Sequence, residues 1–189
     1  MNNNILNKDK TSLIIDKLKN NSKVIISIFI LTIVTAIIFG FLNYKNNKND
    51  IMISENFNRA KLLINNKEKQ EEFKNILVDI IETNHKFYSP LSLYLIIENN
   101  IENDSKEIIR LFDKVLSNNK IIDEDKNLIR LKKSLFLTVH GTEEQILNTL
   151  NPIINSESIW KKQAINLIAD YFFEQKELKK SEQYLKLLN

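Results

Sequence analysis

Residues 168–188, IADYFFEQKELKKSEQYLKLL, carry the pattern that decides the fold. Large, small and aromatic residues follow one another at helical spacing in two successive segments. The small residues Ala169 and Ser181 allow two helices to cross closely, and the aromatic ring of Phe172 fills the space beside them. The stretch therefore predicts a helical hairpin.

Seven stripes of apolar residues at helical spacing precede the last helix, the seventh being the first helix of this hairpin, and no stretch of strict alternation competes with them. The stripes are Ile53, Phe57, Ala60 and Ile64; Phe73, Ile76, Leu77, Ile80 and Ile81; Leu91, Tyr94, Leu95 and Ile97; Ile108, Phe112, Val115 and Leu116; Leu128, Leu131, Leu135 and Val139; Ile146, Leu147 and Leu150; and Trp160, Ala164, Leu167, Ile168 and Tyr171. The last hairpin adds Leu178, Ser181, Leu185 and Leu188. Together they predict an all-α domain of about eight helices over residues 53–189.

The eight predicted helices fall into four pairs of nearly constant length. The first helices begin near Ser54, Ser89, Glu124 and Ser158, which are about 34 residues apart, and that period is typical of tetratricopeptide repeats. We expect four degenerate repeats that form a helical-hairpin array. A generic eight-helix bundle is the alternative.

Residues that favour helix ends separate the stripes. Several breaks are predicted from them: Ser89 as N-cap before Pro90, a capping box over 104–107, Gly141 as a left-handed stop before the N-cap Thr142, Pro152 as the end of the sixth helix, and Ser158 as the cap of the seventh.

A long apolar segment lies before the repeats. Residues 24–42, VIISIFILTIVTAIIFGFL, contain no charge, and as a helix they would extend about 28 Å, close to the roughly 30 Å of a hydrocarbon core. The hydroxyls of Thr32 and Thr35 can bond back to the helix. The segment is longer than a secretory signal core and has no small-residue cleavage site after it, so an uncleaved transmembrane helix over 24–43 is predicted.

The charges indicate an orientation for this helix. The chain has a formal charge of +3, and the surplus lies in residues 1–45, whereas residues 46–189 are nearly balanced. Five lysines precede the apolar segment, so the positive-inside rule places the tail 1–23 in the cytoplasm and residues 53–189, after a linker over 44–52, in the periplasm. The tail is interpreted either as an amphipathic helix on the inner leaflet or as frayed chain. The basic surplus therefore gives no indication of nucleic-acid binding.

The composition excludes several kinds of chemistry. The chain has no cysteine and two glycines, which excludes thiolate metal sites, cysteine nucleophiles and glycine-rich phosphate loops. His85 and His140 are the two histidines, and their spacing does not indicate a metal site. Adjacent glutamates such as Glu71 and Glu72 do not face each other on a helix, so they form no acid–base pair. We expect no enzyme activity, no metal and no cofactor.

A lysine-rich tail, one apolar helix and a repeat ending at residues 164–188 resemble the layout of the bacterial ancillary Sec translocon subunit family. These are single-pass inner-membrane proteins with a tetratricopeptide-like periplasmic domain. The resemblance implies proteins as partners: export channel subunits, periplasmic chaperones or unfolded clients. The chain has Ile, Leu and Ser at helix contacts where that family is rich in Ala and Gly.

The first helices of such arrays line the concave face, and in the last repeat their phase points four residues into the groove: Gln163, Asn166, Asp170 and Phe173. They are the predicted partner-binding residues.

The sequence is compatible with two functions. One is a membrane-tethered interaction module that assists export or chaperone hand-over. The other is a structural or oligomerising subunit of another envelope complex, such as a division or secretion assembly.

Overall fold

A computed structural model describes residues 22–188, without the side chains of 22–26, 28, 43 and 46. Within that range the chain is helical and has no strand, which confirms the all-α prediction. The predictions for residues 1–21 lie outside the described residues. The α-helices are α1 (Ser22–Leu63), α2 (Gln70–Glu82), α3 (Tyr88–Glu98), α4 (Ser105–Leu116), α5 (Asp123–His140), α6 (Glu143–Ile154), α7 (Lys161–Glu174) and α8 (Leu178–Leu185), with 3-10 turns at Lys67–Lys69 and Lys186–Leu188.

The first helix includes the predicted transmembrane segment, continues through the predicted linker 44–52, and contains all of the first apolar stripe except Ile64, which follows its last residue. Contacts divide the chain between Ile51 and Met52 into two units. Inside the apolar segment, Thr32 Oγ1 donates to the Phe29 carbonyl and Thr35 Oγ1 to the Thr32 carbonyl, both at 2.8 Å. These bonds confirm that the two hydroxyls are satisfied by their own helix.

The apolar part of α1 is long and apolar enough to span a membrane. All its side chains from Phe29 to Leu42 are exposed, and Phe39 is 67% exposed. This part of the helix therefore has no protein core to enter within the described residues.

In the second unit, the helices α2, α4 and α6 bury equivalent residues. Each buries three side chains at i, i+4 and i+7, a spacing that places them on one helical face. These are Phe73, Leu77 and Ile80; Ile108, Phe112 and Val115; and Ile146, Leu150 and Ile153. The predicted stripes of these three helices are thus confirmed.

Neighbouring helices from α2 to α8 pack against each other in chain order, and α2 also packs on α4 and α5 on α7. Three side-chain hydrogen bonds join residues that are 34 positions apart. Their partners are Tyr88 Oη to Ser54 Oγ at 2.9 Å, Asn118 Nδ2 to the Asn84 carbonyl at 2.8 Å, and Ser158 Oγ to Glu124 Oε2 at 2.8 Å. Contacts therefore recur with the period expected from the sequence.

The buried side chains form two apolar clusters. The first runs from Ile53 to Ile129, and the second runs from Leu137 to Phe172. Helix α5 contributes to both, because Ile129 and Leu137 lie at opposite ends of its core-facing surface.

The predicted stripes of α3 and α5 are wrong in phase, and that of α8 buries only Ser181, whereas Leu178, Leu185 and Leu188 are exposed. Leu135 and Val139 were expected in the core, but they are 60% and 77% exposed. Helix α5 instead buries Ile129, Ser134 and Leu137. On α3, Leu91 is exposed, and the buried residues are Ser89, Ser92, Leu93 and Ile96. Both helices carry apolar residues on more than one face, so their sequence does not specify which face enters the core.

Lys133 explains how a polar face of α5 is buried. Its side chain packs beside the core, and its ammonium group reaches the surface, where it donates to Asp113 Oδ1 on α4 at 2.6 Å. The aliphatic part of a lysine can cover apolar surface while its charge remains solvated, so a charged residue occupies a position that resembled a solvent face.

Two of the predicted caps are present. The Asp104 side chain accepts from the Lys106 amide at 2.9 Å. The Asp104 amide donates to Glu102 Oε1 at 2.8 Å and not to the Glu107 carboxylate that the predicted capping box requires. Thr142 caps α6 in a full capping box with Gln145. Both caps satisfy helix-end amides that have no intrahelical partner.

Gly141 ends α5 as predicted, but for another reason. Its φ is −120° and its ψ is −165°, which is extended rather than left-handed backbone. A Cβ at this position would lie 2.6 Å from Leu137 Cδ2 and 3.0 Å from the Leu137 carbonyl oxygen. Glycine is therefore accommodated here because the buried Leu137 approaches its backbone closely.

Three other predicted boundaries are wrong. Ser89 lies inside α3, where its hydroxyl donates to the Ile80 carbonyl at 3.0 Å and joins the helix to α2. Pro152 lies inside α6, which continues to Ile154, because Ile153 and Ile154 are buried in the second cluster and their packing outweighs the effect of proline. Helix α7 begins at Lys161, although Ser158 Oγ does accept from the Trp160 amide at 3.1 Å.

Candidate functional site

An apolar cavity of about 270 Å³ lies between α3 and α5, with α4 beneath it. Its lining is Tyr94, Ile97 and Glu98 from α3, Phe112 from α4, and Lys132, Leu135 and Phe136 from α5. Apolar cavities of about 150 Å³ hold a benzene-sized ring, so this one can take a large apolar side chain. It is the feature of the second unit best suited to bind a partner.

Helices α3 and α5 both keep apolar side chains outside the core, among them Leu91 and Leu135. Phe112 is fully buried, and its ring lies 6.2 Å from that of Phe136, so the floor of the cavity is continuous with the core. Phe136 also stacks on His140 at 4.4 Å, which fixes one side of its ring. Leu135 remains 60% exposed at the opening.

Tyr94 and Lys132 form the polar contact of the cavity wall. The Lys132 ammonium lies 4.5 Å from the centroid of the Tyr94 ring, a cation–π contact between α5 and α3. Burial raises the pKa of the Tyr94 hydroxyl to about 12, and the nearby charge of Asp125 acts in the same direction. Tyr94 is therefore neutral throughout the physiological pH range.

The raised pKa of Tyr94 predicts a loss of stability at high pH. The unfolded chain ionises this hydroxyl near pH 10, whereas the folded chain holds the proton until about pH 12. The stability that the neutral Tyr94 hydroxyl contributes is therefore fully present below pH 10 and is lost as the pH rises to 12. Between pH 10 and pH 12, we expect the free energy of unfolding of Tyr94→Phe to fall by up to about 2 kcal/mol less than that of the wild type. Urea unfolding at several pH values measures this difference. Equal pH dependence in the two proteins would contradict it.

The predicted groove residues lie elsewhere in the second unit. Gln163, Asp170 and Phe173 are exposed on α7, Asn166 is half-buried beside them, and Phe173 is 64% exposed. None of the four lines the cavity between α3 and α5. Their role in partner binding remains a prediction.

Sequence reasoning missed the cavity residues because it assigned them to the core. Tyr94, Ile97 and Leu135 belong to the predicted core stripes. One signal could have indicated the site. Helix α3, YSPLSLYLIIE, is apolar around most of its circumference, although a helix on the surface of an array needs one apolar face.

No cluster of three or more histidine, aspartate or glutamate side chains that could hold a metal is found among the residues with described positions. Comparison with known proteins found no matching family model, no matching curated protein and no matching solved structure.

Proposed function

We propose that this chain is a membrane-anchored protein–protein interaction module whose cavity between α3 and α5 holds a segment of a partner protein. One observation carries the proposal. The cavity has the buried Phe112 as its floor and the exposed Leu135 at its opening, so apolar surface is accessible to a partner. Exposed apolar surface with polar residues around it is typical of interaction sites.

We infer that the second unit is an array of four tetratricopeptide-like helix pairs. The three hydrogen bonds between residues 34 positions apart support this inference, since they join equivalent places in successive pairs. The equivalent buried residues of α2, α4 and α6 support it as well. In such an array α3 and α5 are both first helices, so the cavity would lie on the face that lines the groove.

The apolar part of α1 is the proposed anchor. Its exposed apolar side chains over 29–42 match the hydrocarbon core of a bilayer, and the lysines before residue 24 favour a cytoplasmic N-terminus. In this orientation residues 53–189 lie on the periplasmic side of a bacterial inner membrane. The layout supports a role at the Sec translocon, in which the module assists protein export or chaperone hand-over.

A structural or oligomerising role in another envelope complex is the second candidate. Helix α8 and the turn after it favour it, because they expose four leucines: Leu178, Leu185, Leu187 and Leu188. Subunits of a larger assembly commonly cover such surfaces with a neighbouring chain.

Photo-crosslinking in cells distinguishes the two roles. A photoreactive residue at position 135, at the opening of the cavity, is expected to capture channel subunits, chaperones or export clients. The same residue at position 62, where Leu62 is 84% exposed and does not line the cavity, is the matched control. Equal yields at the two positions would contradict the cavity as the site. Capture of a second copy of this chain alone would favour the oligomerising role.

A further inference from the structure

Helix α8 repeats a pattern of residues that the earlier helices bury. Helices α2, α4 and α6 each bury three side chains at i, i+4 and i+7. The pattern recurs 35 positions after α6: the residues of α6 are Ile146, Leu150 and Ile153, and those of α8 and the turn after it are Ser181, Leu185 and Leu188. Ser181 is buried, whereas Leu185 and Leu188 are 43% and 38% exposed. Most of the pattern is therefore uncovered in α8.

A following helix packs against each of the three earlier helices. Helix α2 packs against α3, α4 packs against α5, and α6 packs against α7. Within the described residues no helix follows α8. Leu178 and Leu185 are seven residues apart, so they lie on one helical face, and Leu188 follows one turn later. These three exposed leucines, called here the α8 face, occupy the place where a further helix would pack.

The first and last helices of the second unit differ in the polarity of their exposed surfaces. Residues 52–63 form its first helix, and five of their seven exposed side chains are polar: Glu55, Asn56, Asn58, Arg59 and Lys61. The α8 face consists of leucine alone. A helical array needs polar outer surfaces on its terminal helices to remain soluble, so the last helix requires a cover that the first does not. Head-to-tail contact between copies would place the leucines against mostly polar residues, whereas contact between two α8 faces covers leucine with leucine.

The charges around α8 also suit contact between two identical surfaces. Residues 174–188 contain four lysines and three glutamates, so their net charge is +1. Two of the glutamates pair within the segment, Glu177 with Lys180 at 2.8 Å and Glu182 with Lys186 at 3.1 Å. Because the segment is nearly neutral, two copies can approach without strong repulsion. An anionic lipid surface, by contrast, attracts segments with a large basic surplus, which this one does not have.

We propose that the α8 face binds the α8 face of a second copy of this chain, related to the first by a two-fold axis. The inference rests on the oligomerising role, the second of the two proposed functions, and does not depend on the cavity between α3 and α5. Such an interface is closed, because it joins two chains and leaves no apolar end for a third. The proposed anchor in α1 would hold both copies in one membrane and raise their effective concentration, so that a small interface is sufficient.

Because the chain contains no cysteine, single engineered cysteines test the proposal directly. The variants Leu178→Cys, Leu185→Cys and Leu188→Cys are oxidised as full chains in liposomes. A two-fold axis brings part of the α8 face next to its own copy, and a disulfide forms where the two Cα atoms lie within about 7 Å. We expect at least one of the three to give about fivefold more disulfide-linked dimer than Val139→Cys, whose position on α5 is 77% exposed. Dimer at the level of this control in all three variants, and in an equal mixture of the first and the third, would overturn the proposal.

A charge on the α8 face should separate the two copies. Leu185→Asp places a carboxylate in the interface, and we expect it to weaken association at least about tenfold, as for the loss of a central interface contact. Energy transfer between labelled full chains, measured at several protein-to-lipid ratios in liposomes, reports the association. Val139→Asp on α5 is the matched control and should leave association unchanged, and circular dichroism checks that both variants are folded. Unchanged association of folded Leu185→Asp would contradict the proposed interface.

The remaining outcomes separate this inference from the function proposed for the cavity. If no dimer forms while crosslinking at position 135 still captures partner proteins, the dimer inference fails and the interaction function stands. If dimers form through α8 and position 135 captures partner proteins, both stand. Protection of Leu185→Cys from a water-soluble maleimide in liposomes that hold one chain each would assign the α8 face to the bilayer and overturn the inference.

Discussion

Replacing Phe172 with alanine is expected to lower the free energy of unfolding by about 4 kcal/mol, the range for a fully buried aromatic side chain. Phe172 is 1% exposed and joins α7 to α8. Its ring stacks on Tyr184 at 5.6 Å with 13° between the planes, and the Lys180 ammonium lies 4.7 Å from its centroid. Truncation removes these contacts and leaves a cavity where the two helices cross.

The neighbouring Phe173 is a matched control for this substitution. It has the same chemistry and the same helix, but it is 64% exposed and contributes little to the core. Phe173→Ala should change the free energy of unfolding by less than about 0.5 kcal/mol. Urea unfolding of the full chain in detergent, followed by circular dichroism, measures both variants. Similar losses in the two proteins would show that the helical phase of α7 described above is wrong.

Two arginines in the middle of the apolar segment are expected to abolish membrane insertion. Each arginine at the centre of a spanning helix costs about 3 kcal/mol, so Ile33→Arg with Ile37→Arg removes much of the driving force supplied by the 19 uncharged residues. Ile33 and Ile37 are both exposed on α1, so their replacement disturbs no described protein core. We expect the variant chain to lose its membrane fraction.

An alkaline phosphatase fused after residue 189 measures insertion and orientation together, because this enzyme is active only after export from the cytoplasm. The wild-type fusion should be active, and the double arginine variant should lose at least about tenfold in activity. The same two arginines at Leu62 and Ile159, which are 84% and 72% exposed, should leave the activity unchanged. The proposed orientation would be overturned if the wild-type alkaline phosphatase fusion were inactive and a reporter that works only in the cytoplasm were active at the same position.

The sequence predicted the core faces of α2, α4 and α6 better than those of α3, α5 and α8. Phe73, Ile108 and Ile146 begin stripes that are apolar on one face only, so periodicity identified the core face correctly. On α3 and α5 apolar residues occur on two faces, and periodicity alone could not separate the face that enters the core from the face that lines the cavity. The error in phase therefore falls on the two helices that form most of the candidate site.

Helix ends could be predicted from the sequence where a single capping residue determines them, as at Thr142. They could not be predicted where tertiary packing determines them. Pro152 is tolerated because two buried isoleucines follow it, and Gly141 is required by the approach of Leu137.

Helix α5 contributes side chains to both apolar clusters, and this affects how the second unit folds. Ile129 contributes to the first cluster and Leu137 to the second, so neither half completes its core until α5 is helical. Fraying of α8 can proceed without disturbing the first cluster, whereas melting of α5 removes side chains from both. The two clusters are thus coupled mainly through α5, with a smaller contribution from Ile109 of α4, which packs against the second cluster. The outer surface of α5 also forms a wall of the cavity, so a partner bound there would hold α5 in place and couple its binding to the unfolding of both clusters.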